Sequence, residues 1–298
     1  HEVSLVTARE VATALRESGY EVIELELDEH LPEKLLQTQP ATVFPAVHGA
    51  PGEDGSLQGM LEIMGISYVG SDVLASALAM HKATAKQLFQ MAGLPITGSH
   101  LMREGDDLEA TVAAIKDKLG EPPYMVKPNT EGSALGATRV FDAGELRPAI
   151  ERAVSPGKEV LIEEFIEGRE MTVGILEEDD GYRTFPLIEI LSKKDWYDYE
   201  ARYTPGMSEH ICPAEVPPEV AAELARISLE AHKVLGCRDL SRADLILTSS
   251  NEAYLLEVNT LPGMTPTSLF PDAAKVAGIS FNSLMDHLIK RALRRRQS

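Results

Sequence analysis

The chain is short of cysteine, aromatic residues and basic residues. Only Cys212 and Cys237 occur in 298 residues, far apart in sequence. They form neither a disulfide framework nor a thiol metal motif, and a reduced, cytoplasmic setting is the simpler expectation. No apolar run approaches the ~20 residues needed to cross a bilayer. No signal-peptide pattern is visible. Lys and Arg number 28 against 47 Asp and Glu, a net charge of −19. That balance argues against nucleic acid or an anionic membrane as a main partner. An anionic substrate would have to be drawn in by local cations or a metal, not by the overall field. The basic cluster Lys290, Arg291, Arg294, Arg295 and Arg296 lies at the end of the last helical pattern, where positive charge complements the helix dipole.

What is present describes a folded α/β protein. Hydrophobic residues make up 44 % of the chain, and its length exceeds the usual size of one core, so two or three domains are expected. Neither repeats nor low-complexity segments stand out. Helical patterns cover 7–18, 57–64, 75–92, 108–118, 144–153, 218–235 and 280–295. Strand patterns cover 20–27, 42–47, 67–69, 124–127, 137–141, 160–165, 171–176 and 184–191, the last two paired across 177–182. The alternation before residue 70 implies a parallel α/β unit. Residues 196–213 mix aromatics, Gly and Pro without a period and read as a long functional loop. Boundaries fall near 70 and 166, dividing the chain into 1–70, 71–166 and 167–298.

The densest chemistry lies in Ser241-Arg242-Ala243-Asp244 and Glu257-Val258-Asn259. Read as two strands, 243–247 and 253–259, they place Glu257 and Asn259 on one face. A tight turn at Ser250-Asn251 would set Asp244 opposite Glu257 on that face. Three oxygen donors there suit a hard cation such as Mg²⁺, which takes few protein oxygens and shares the rest of its shell with phosphates and water. Arg242 adds a permanent positive charge able to stabilise an anionic intermediate. The same residues also fit a surface hairpin with solvated acids.

Upstream, the strand ending in Lys127-Pro128 runs into Asn129-Thr130-Glu131-Gly132-Ser133-Ala134-Leu135-Gly136. Small residues and two glycines let backbone N–H groups approach phosphate oxygens, with Ser133 as a further donor. It matches neither a Walker nor a dinucleotide pattern, and an ordinary hairpin loop is the plain alternative. The apolar strand ending at Glu163, Glu164, Phe165 and Ile166 could face adenine, and Glu170 could hold ribose hydroxyls. An edge strand with solvated acids is the plain alternative. Lys82 could reach phosphate or lie in solvent.

Taken in order, these motifs resemble those of ATP-grasp enzymes, and among them the D-alanine–D-alanine ligases. The resemblance extends through His1-Glu2-Val3-Ser4-Leu5, His48-Gly49, Gly52-Glu53-Asp54-Gly55-Ser56-Leu57-Gln58-Gly59, the Lys127 loop, Tyr197 to Tyr203, Cys212-Pro213-Ala214, the Arg242 and Glu257 strands, and Leu261 to Leu269. It implies an ATP-grasp fold, α+β in its ATP-binding part, preceded by a parallel α/β domain. It also implies ATP-dependent joining of two D-alanine molecules through an acyl phosphate, as used in cell-wall precursor synthesis. Lys82 and Lys127 would bind phosphate, with Arg202 beside the γ-phosphate. Glu163, Phe165, Ile166 and Glu170 would bind adenine and ribose. Asp244, Glu257 and Asn259 would hold two Mg²⁺ or Mn²⁺, and Arg242 with the Gly263 N–H would form the oxyanion site. Val3 and His48 would line the first D-alanine pocket, and Ser268 and Leu269 the second. Ser133 and Tyr203 would close the loop over the site, and Tyr203 favours D-alanine over D-lactate as nucleophile. The family often dimerises, so a homodimer is expected.

Three departures accompany the resemblance. The family has an opening strand, a glycine-rich turn and an acidic residue immediately before the position of His1, so the 298-residue polypeptide is expected to be destabilised and poorly active. Arg202 stands where lysine is common. His81 stands where aspartate is usual, which weakens an expected helix cap. Alternatives are a related ligase using D-lactate or D-serine, and a nucleotide-binding protein without turnover.

Overall fold

The computed structural model describes residues 2–132, 136–154, 158–192 and 208–295. Chain order begins with helices α1 (Glu2–Glu17), α2 (Leu31–Thr38), α3 (Ser56–Ile63), α4 (Val73–Met80) and α5 (Lys82–Met91). Strand β1 (Ser99–Met102), helix α6 (Leu108–Leu119), strands β2 (Tyr124–Pro128) and β3 (Thr138–Val140), helix α7 (Ala143–Ala153) and strand β4 (Val160–Glu164) follow. Next come β5 (Arg169–Glu178), β6 (Gly181–Thr184), β7 (Ile188–Ser192) and β8 (Ser208–Ile211). Helix α8 (Pro218–Leu235), strands β9 (Leu240–Leu247) and β10 (Ala253–Asn259), and helices α9 (Leu269–Val276) and α10 (Phe281–Arg295) complete the order.

Two antiparallel sheets organise the part that carries the motifs. One has the order β1-β4-β2-β3; the other has β10-β9-β5-β7-β8, with β6 paired to β5. Val126, Val140, Leu146, Ile150 and Ile162 fill the core between the first sheet and its helices. Beneath the second sheet, Phe89 of α5, Leu224 and Ile227 of α8, and Leu245, Leu255 and Val258 of the hairpin pack together. A further core joins α1 to α9 and α10 through Val11, Leu15, Phe270, Leu284 and Leu288. Among the described residues no helix is long and apolar enough to cross a membrane.

Several expectations need correction. Segments 20–27 and 42–47 are not strands, and the sole strand pairing described before residue 70 is the isolated parallel bridge Val43–Tyr68. An extended segment becomes a strand only when a neighbour takes its N–H and C=O groups, and alternation alone cannot supply one. The pattern over 75–92 is two helices, broken at His81 (φ −89°, ψ 85°). The weakened cap does not follow either, because the His81 ring accepts the Thr84 N–H through Nδ1 at 3.2 Å. The return run over 184–191 is split into β6 and β7, which pair with opposite ends of β5.

The C-terminal hairpin reaches its expected pairing by an unexpected route. Ala253–Leu247 and Leu255–Leu245 set a register that would place Leu256 opposite Asp244. A bulge between Leu255 and Glu257 shifts the ladder by one residue and brings Glu257 opposite Asp244. A slip of one residue exchanges the two faces of a strand, so this bulge decides which side chain meets Asp244.

Candidate active site

A cavity of about 470 Å³ lies between the two sheets. The first sheet contributes Lys127 from β2, Arg139 from β3 and Glu163 from β4, and the segment just beyond β4 adds Phe165 and Ile166. The second contributes Glu170 from β5, Asp244 from β9, and Leu256 and Glu257 from β10. Lys82, the first residue of α5, closes one side. The cavity therefore gathers cations, an apolar rim and several acids that lie far apart in the sequence.

The apolar rim is ordered by its own contacts. The rings of Phe141 and Phe165 meet edge to face, with centroids 6.0 Å apart. The Arg139 guanidinium sits 5.5 Å from both ring centroids, which fixes a positive charge beside an aromatic pair.

The cations are placed by buried ion pairs. Glu163 is 2 % exposed, and its two carboxylate oxygens pair with the ammonium groups of Lys86 and Lys127. Burial pushes this carboxyl up, but Lys127 and Lys86 outweigh it and hold it down at about 2. Glu163 thus lines the cavity with its charge engaged, rather than presenting an open carboxylate. Nothing in the sequence singles out Lys86, although it lies one helical turn from Lys82. It also donates to Thr97 Oγ1 at 2.6 Å. Lys82 donates to the Glu131 carbonyl at 2.8 Å and lies 3.3 Å from Glu257 Oε2.

On the hairpin, Arg242 and Asp244 are two apart on one strand and share a face. Arg242 Nε donates to Asp244 Oδ1 at 2.9 Å, and Nη2 to Oδ2 at 2.7 Å. Thr172, the ladder partner of Asp244 on β5, also donates to Oδ1, at 2.7 Å. Asn259 stands opposite Arg242, and its Oδ1 accepts the Leu261 N–H at 3.0 Å. Asp244, Glu257 and Asn259 offer hard oxygen donors, and an amide oxygen bound once still has a second lone pair. Among the described residues no three His, Cys, Asp or Glu side chains gather as a metal group. Two carboxylates and an amide nevertheless fit a magnesium ion that takes one or two protein carboxylates and completes its shell with phosphate and water.

Beyond the cavity, the first turns of α1 meet the 48–53 loop. Ser4 Oγ accepts the His48 N–H at 3.2 Å, and Thr7 Oγ1 lies 3.1 Å from His48 Nε2. Val3 precedes Ser4 on the same helix. Burial lowers the His48 pKa, and the nearby Arg242 charge lowers it further. Glu53 accepts the Gly49 N–H at 2.5 Å. Burial pushes Glu53 up to about 7, against the pull of that N–H, Arg242 and Lys82. Glu53 belongs to the Gly52 to Gly59 motif, but the sequence alone gives it no role, because its place beside Arg242 depends on the fold of the 48–53 loop.

Gly263 and Ser268 face each other at the start of α9. A Cβ on Gly263 would lie 3.0 Å from Ser268 Oγ. Ser268 Oγ accepts the Thr265 N–H at 3.1 Å, while Leu269 is buried in the core. Ser133, Arg202 and Tyr203 lie outside the described residues.

Comparison with known proteins adds an independent line. Residues 88–290 match the family described as D-ala D-ala ligase C-terminus, and residues 30–71 match the D-ala D-ala ligase N-terminus. The D-alanine–D-alanine ligase of Desulforudis audaxviator is 44 % identical over 295 residues, which are 99 % of this chain and 95 % of that protein. That of Carboxydothermus hydrogenoformans is 43 % identical, again over 99 % and 95 %. The crystal structure of a Bacillus anthracis D-alanine–D-alanine ligase complexed with ATP superposes with a TM-score of 0.85 at 31 % identity, over 99 % of this chain and 94 % of that one. The VanG D-Ala:D-Ser ligase of Enterococcus faecalis superposes with a TM-score of 0.76 at 37 % identity, over 84 % and 72 %.

Proposed function

The chain belongs to the D-alanine–D-alanine ligase family and has its ATP-grasp fold, and we propose from that premise how its residues divide the work. The activity is ATP-dependent, ADP-forming ligation of two D-alanine molecules to D-alanyl-D-alanine for peptidoglycan precursor synthesis. The observation that carries the reading is the cavity between the two sheets, which Lys82, Lys127, Glu170, Asp244 and Glu257 all line.

A carboxylate is a poor electrophile, so its oxygen must first become a leaving group. ATP supplies this by phosphorylating the first D-alanine. In this reading Phe165 and Ile166 cover the adenine, and Glu170 takes ribose hydroxyls. Lys82 and Lys127 bind the phosphates, and Arg202 adds its charge beside the γ-phosphate. Asp244, Glu257 and Asn259 would hold two Mg²⁺ or Mn²⁺ ions, which when bound offset the negative charge of the phosphates. Val3 and His48 line the pocket of the first D-alanine. Ser268 takes the carboxylate of the second, with Leu269 behind it. Attack by the second amine on the acyl phosphate puts negative charge on the former carboxylate oxygen, where Arg242 and the Gly263 N–H stabilise it. Ser133 and Tyr203 close the loop over the site. Catalysis then rests mainly on positioning and charge neutralisation.

The same reading divides the chain at about 70 and 166 and places it in the cytoplasm as a homodimer, which sedimentation of the purified protein tests. Product analysis decides the nucleophile. Incubation with ATP, Mg²⁺, D-alanine and an equal amount of D-serine or D-lactate is expected to yield D-alanyl-D-alanine and ADP as the main products. A predominance of D-alanyl-D-serine or D-alanyl-D-lactate would assign a different ligase. ATP turnover independent of D-alanine would remove the ligase assignment.

A further inference from the structure

Helix α5 begins with the phosphate lysine Lys82, and its first N–H groups are capped mainly from outside the helix. The Lys82 N–H donates to the Asn129 carbonyl at 3.2 Å, and the Ala83 N–H to Asn129 Oδ1 at 2.9 Å. His81 Nδ1 takes the Thr84 N–H. The first N–H groups of a helix have no partners within it, so those of Lys82 and Ala83 depend here on Asn129, while the Thr84 N–H is shared between the His81 carbonyl, at 2.9 Å, and the His81 ring. Asn129 is fully buried and lies between Lys127 and the glycine loop that starts at Glu131.

A third residue ties the two caps together. Glu159, just before β4, accepts from Asn129 Nδ2 at 2.8 Å and lies 2.7 Å from His81 Nε2, both through Oε2. Its carbonyl accepts the Asn129 N–H at 2.9 Å, and Arg103 lies 3.5 Å from its other oxygen. His81 Nε2 also lies 2.8 Å from Asn129 Nδ2, so the ring, the amide and the Glu159 carboxylate meet at one point, and Nδ1 faces the Thr84 hydroxyl at 2.7 Å as well as its N–H. The Lys82 ammonium itself returns to the same loop, at the Glu131 carbonyl.

We propose that Asn129, His81 and Glu159 are positioning residues for ATP phosphate binding, forming a brace that locks the start of α5, and with it Lys82, to the loop after Lys127. This rests on the reading of Lys82 as a phosphate ligand. None of the three lines the cavity. Each acts through Lys82 and the loop backbone, so their loss should weaken the grip on phosphate and leave the adenosine end of the cavity unchanged. Displacing a positioned group by about 1 Å can cost as much as ~100-fold, and a loosened helix end displaces Lys82 by less than that, so about tenfold is expected.

The test compares equilibrium binding of ATP and of adenosine to the whole chain in its His81→Ala, Asn129→Ala, His81→Asn and Lys82→Ala variants. Binding needs no turnover, and adenosine has no phosphate. The expected result is a roughly tenfold rise in the ATP dissociation constant for His81→Ala and Asn129→Ala with adenosine unaltered. His81→Asn, which keeps a capping oxygen, should return to within about threefold of wild type. Asn129 is buried, so if its variant does not fold, His81→Ala carries the test, its ring being one-third exposed. Equal loss of ATP and adenosine would reduce the brace to general stability and overturn the proposal. So would unaltered ATP binding in the two alanine variants while Lys82→Ala binds ATP weakly. Unaltered ATP binding in Lys82→Ala would remove the phosphate role of that lysine, and the brace with it.

Discussion

Arg242 grips Asp244 through two parallel hydrogen bonds, at 2.9 and 2.7 Å. In the proposed reaction one is the oxyanion cation and the other a metal ligand. The two charges offset each other across this pair, and Glu257, the second acid of the hairpin, faces Lys82 at 3.3 Å. Asp244→Asn keeps the shape and removes the charge. We expect kcat to fall by about 100-fold or more, the scale for losing one preorganised electrostatic contact in a closed site, with adenosine binding unaltered. Steady-state kinetics measures it, and a variant within threefold of wild type would free Asp244 from the metal role.

Glu163 predicts an acid limb of stability. Its folded pKa of about 2 lies below the unfolded carboxylate value, so its contribution is complete above about pH 4.5 and is lost as pH falls through 2. Glu163→Gln should cost on the order of 3 kcal/mol at pH 7 in urea unfolding, because two buried ammonium groups lose their counter-charge. The gap between variant and wild type should narrow to about half by pH 3. A gap that widens on acidification would mean that the carboxyl is not held charged.

Glu53 predicts the opposite sign. Burial raises its pKa to about 7, so the folded chain keeps a proton that the unfolded chain releases from about pH 4.5 upward. Its contribution is present at low pH and disappears as pH rises through 7. Glu53→Gln should therefore gain stability relative to wild type between pH 5 and pH 8, by on the order of 2 kcal/mol. Unfolding midpoints at the two pH values measure it, and a constant difference would contradict it.

Gly263 lets the chain pass close to Ser268. A Cβ there would stand 3.0 Å from Ser268 Oγ, which already accepts the Thr265 N–H. Gly263→Ala should turn the serine away and raise the KM for the second D-alanine roughly tenfold, the value of about one hydrogen bond to a charged carboxylate. ATP affinity should stay unaltered. Equal losses for both substrates would point to a wider disturbance of the loop.

The pairs that the sequence exposes are those set by short spacing. Arg242 with Asp244 and Glu257 with Asn259 follow from the two-residue repeat of a strand. The partnership of Asp244 with Glu257 was also legible, but for the wrong reason: the turn places Leu256 there, and a bulge that leaves no clear mark in composition moves Glu257 into line. Lys86 and Asn129 were not legible as site neighbours, since each acquires partners from other elements, and Glu53 was not because it bonds within its own loop, to Gly49, and comes under the Arg242 charge only through the fold. The pattern over 20–27 misled because alternation records which side chains could be buried and not whether a neighbouring strand exists to pair with. His81 concealed the break between α4 and α5, since histidine is a weak capping signal compared with the aspartate expected there.

In the proposed reaction nucleotide and metal meet between the sheets, against the bulged hairpin. A crystal grown with ADP and Mn²⁺, with anomalous diffraction at the manganese edge, tests it most directly. Manganese peaks are expected within bonding reach of Asp244, Glu257 and Asn259, with Arg242 released from Asp244 or sharing it, and the ADP phosphates beside Lys82 and Lys127. Peaks elsewhere, or a nucleotide bound outside the cavity while the Arg242–Asp244 pair stays closed, would contradict it.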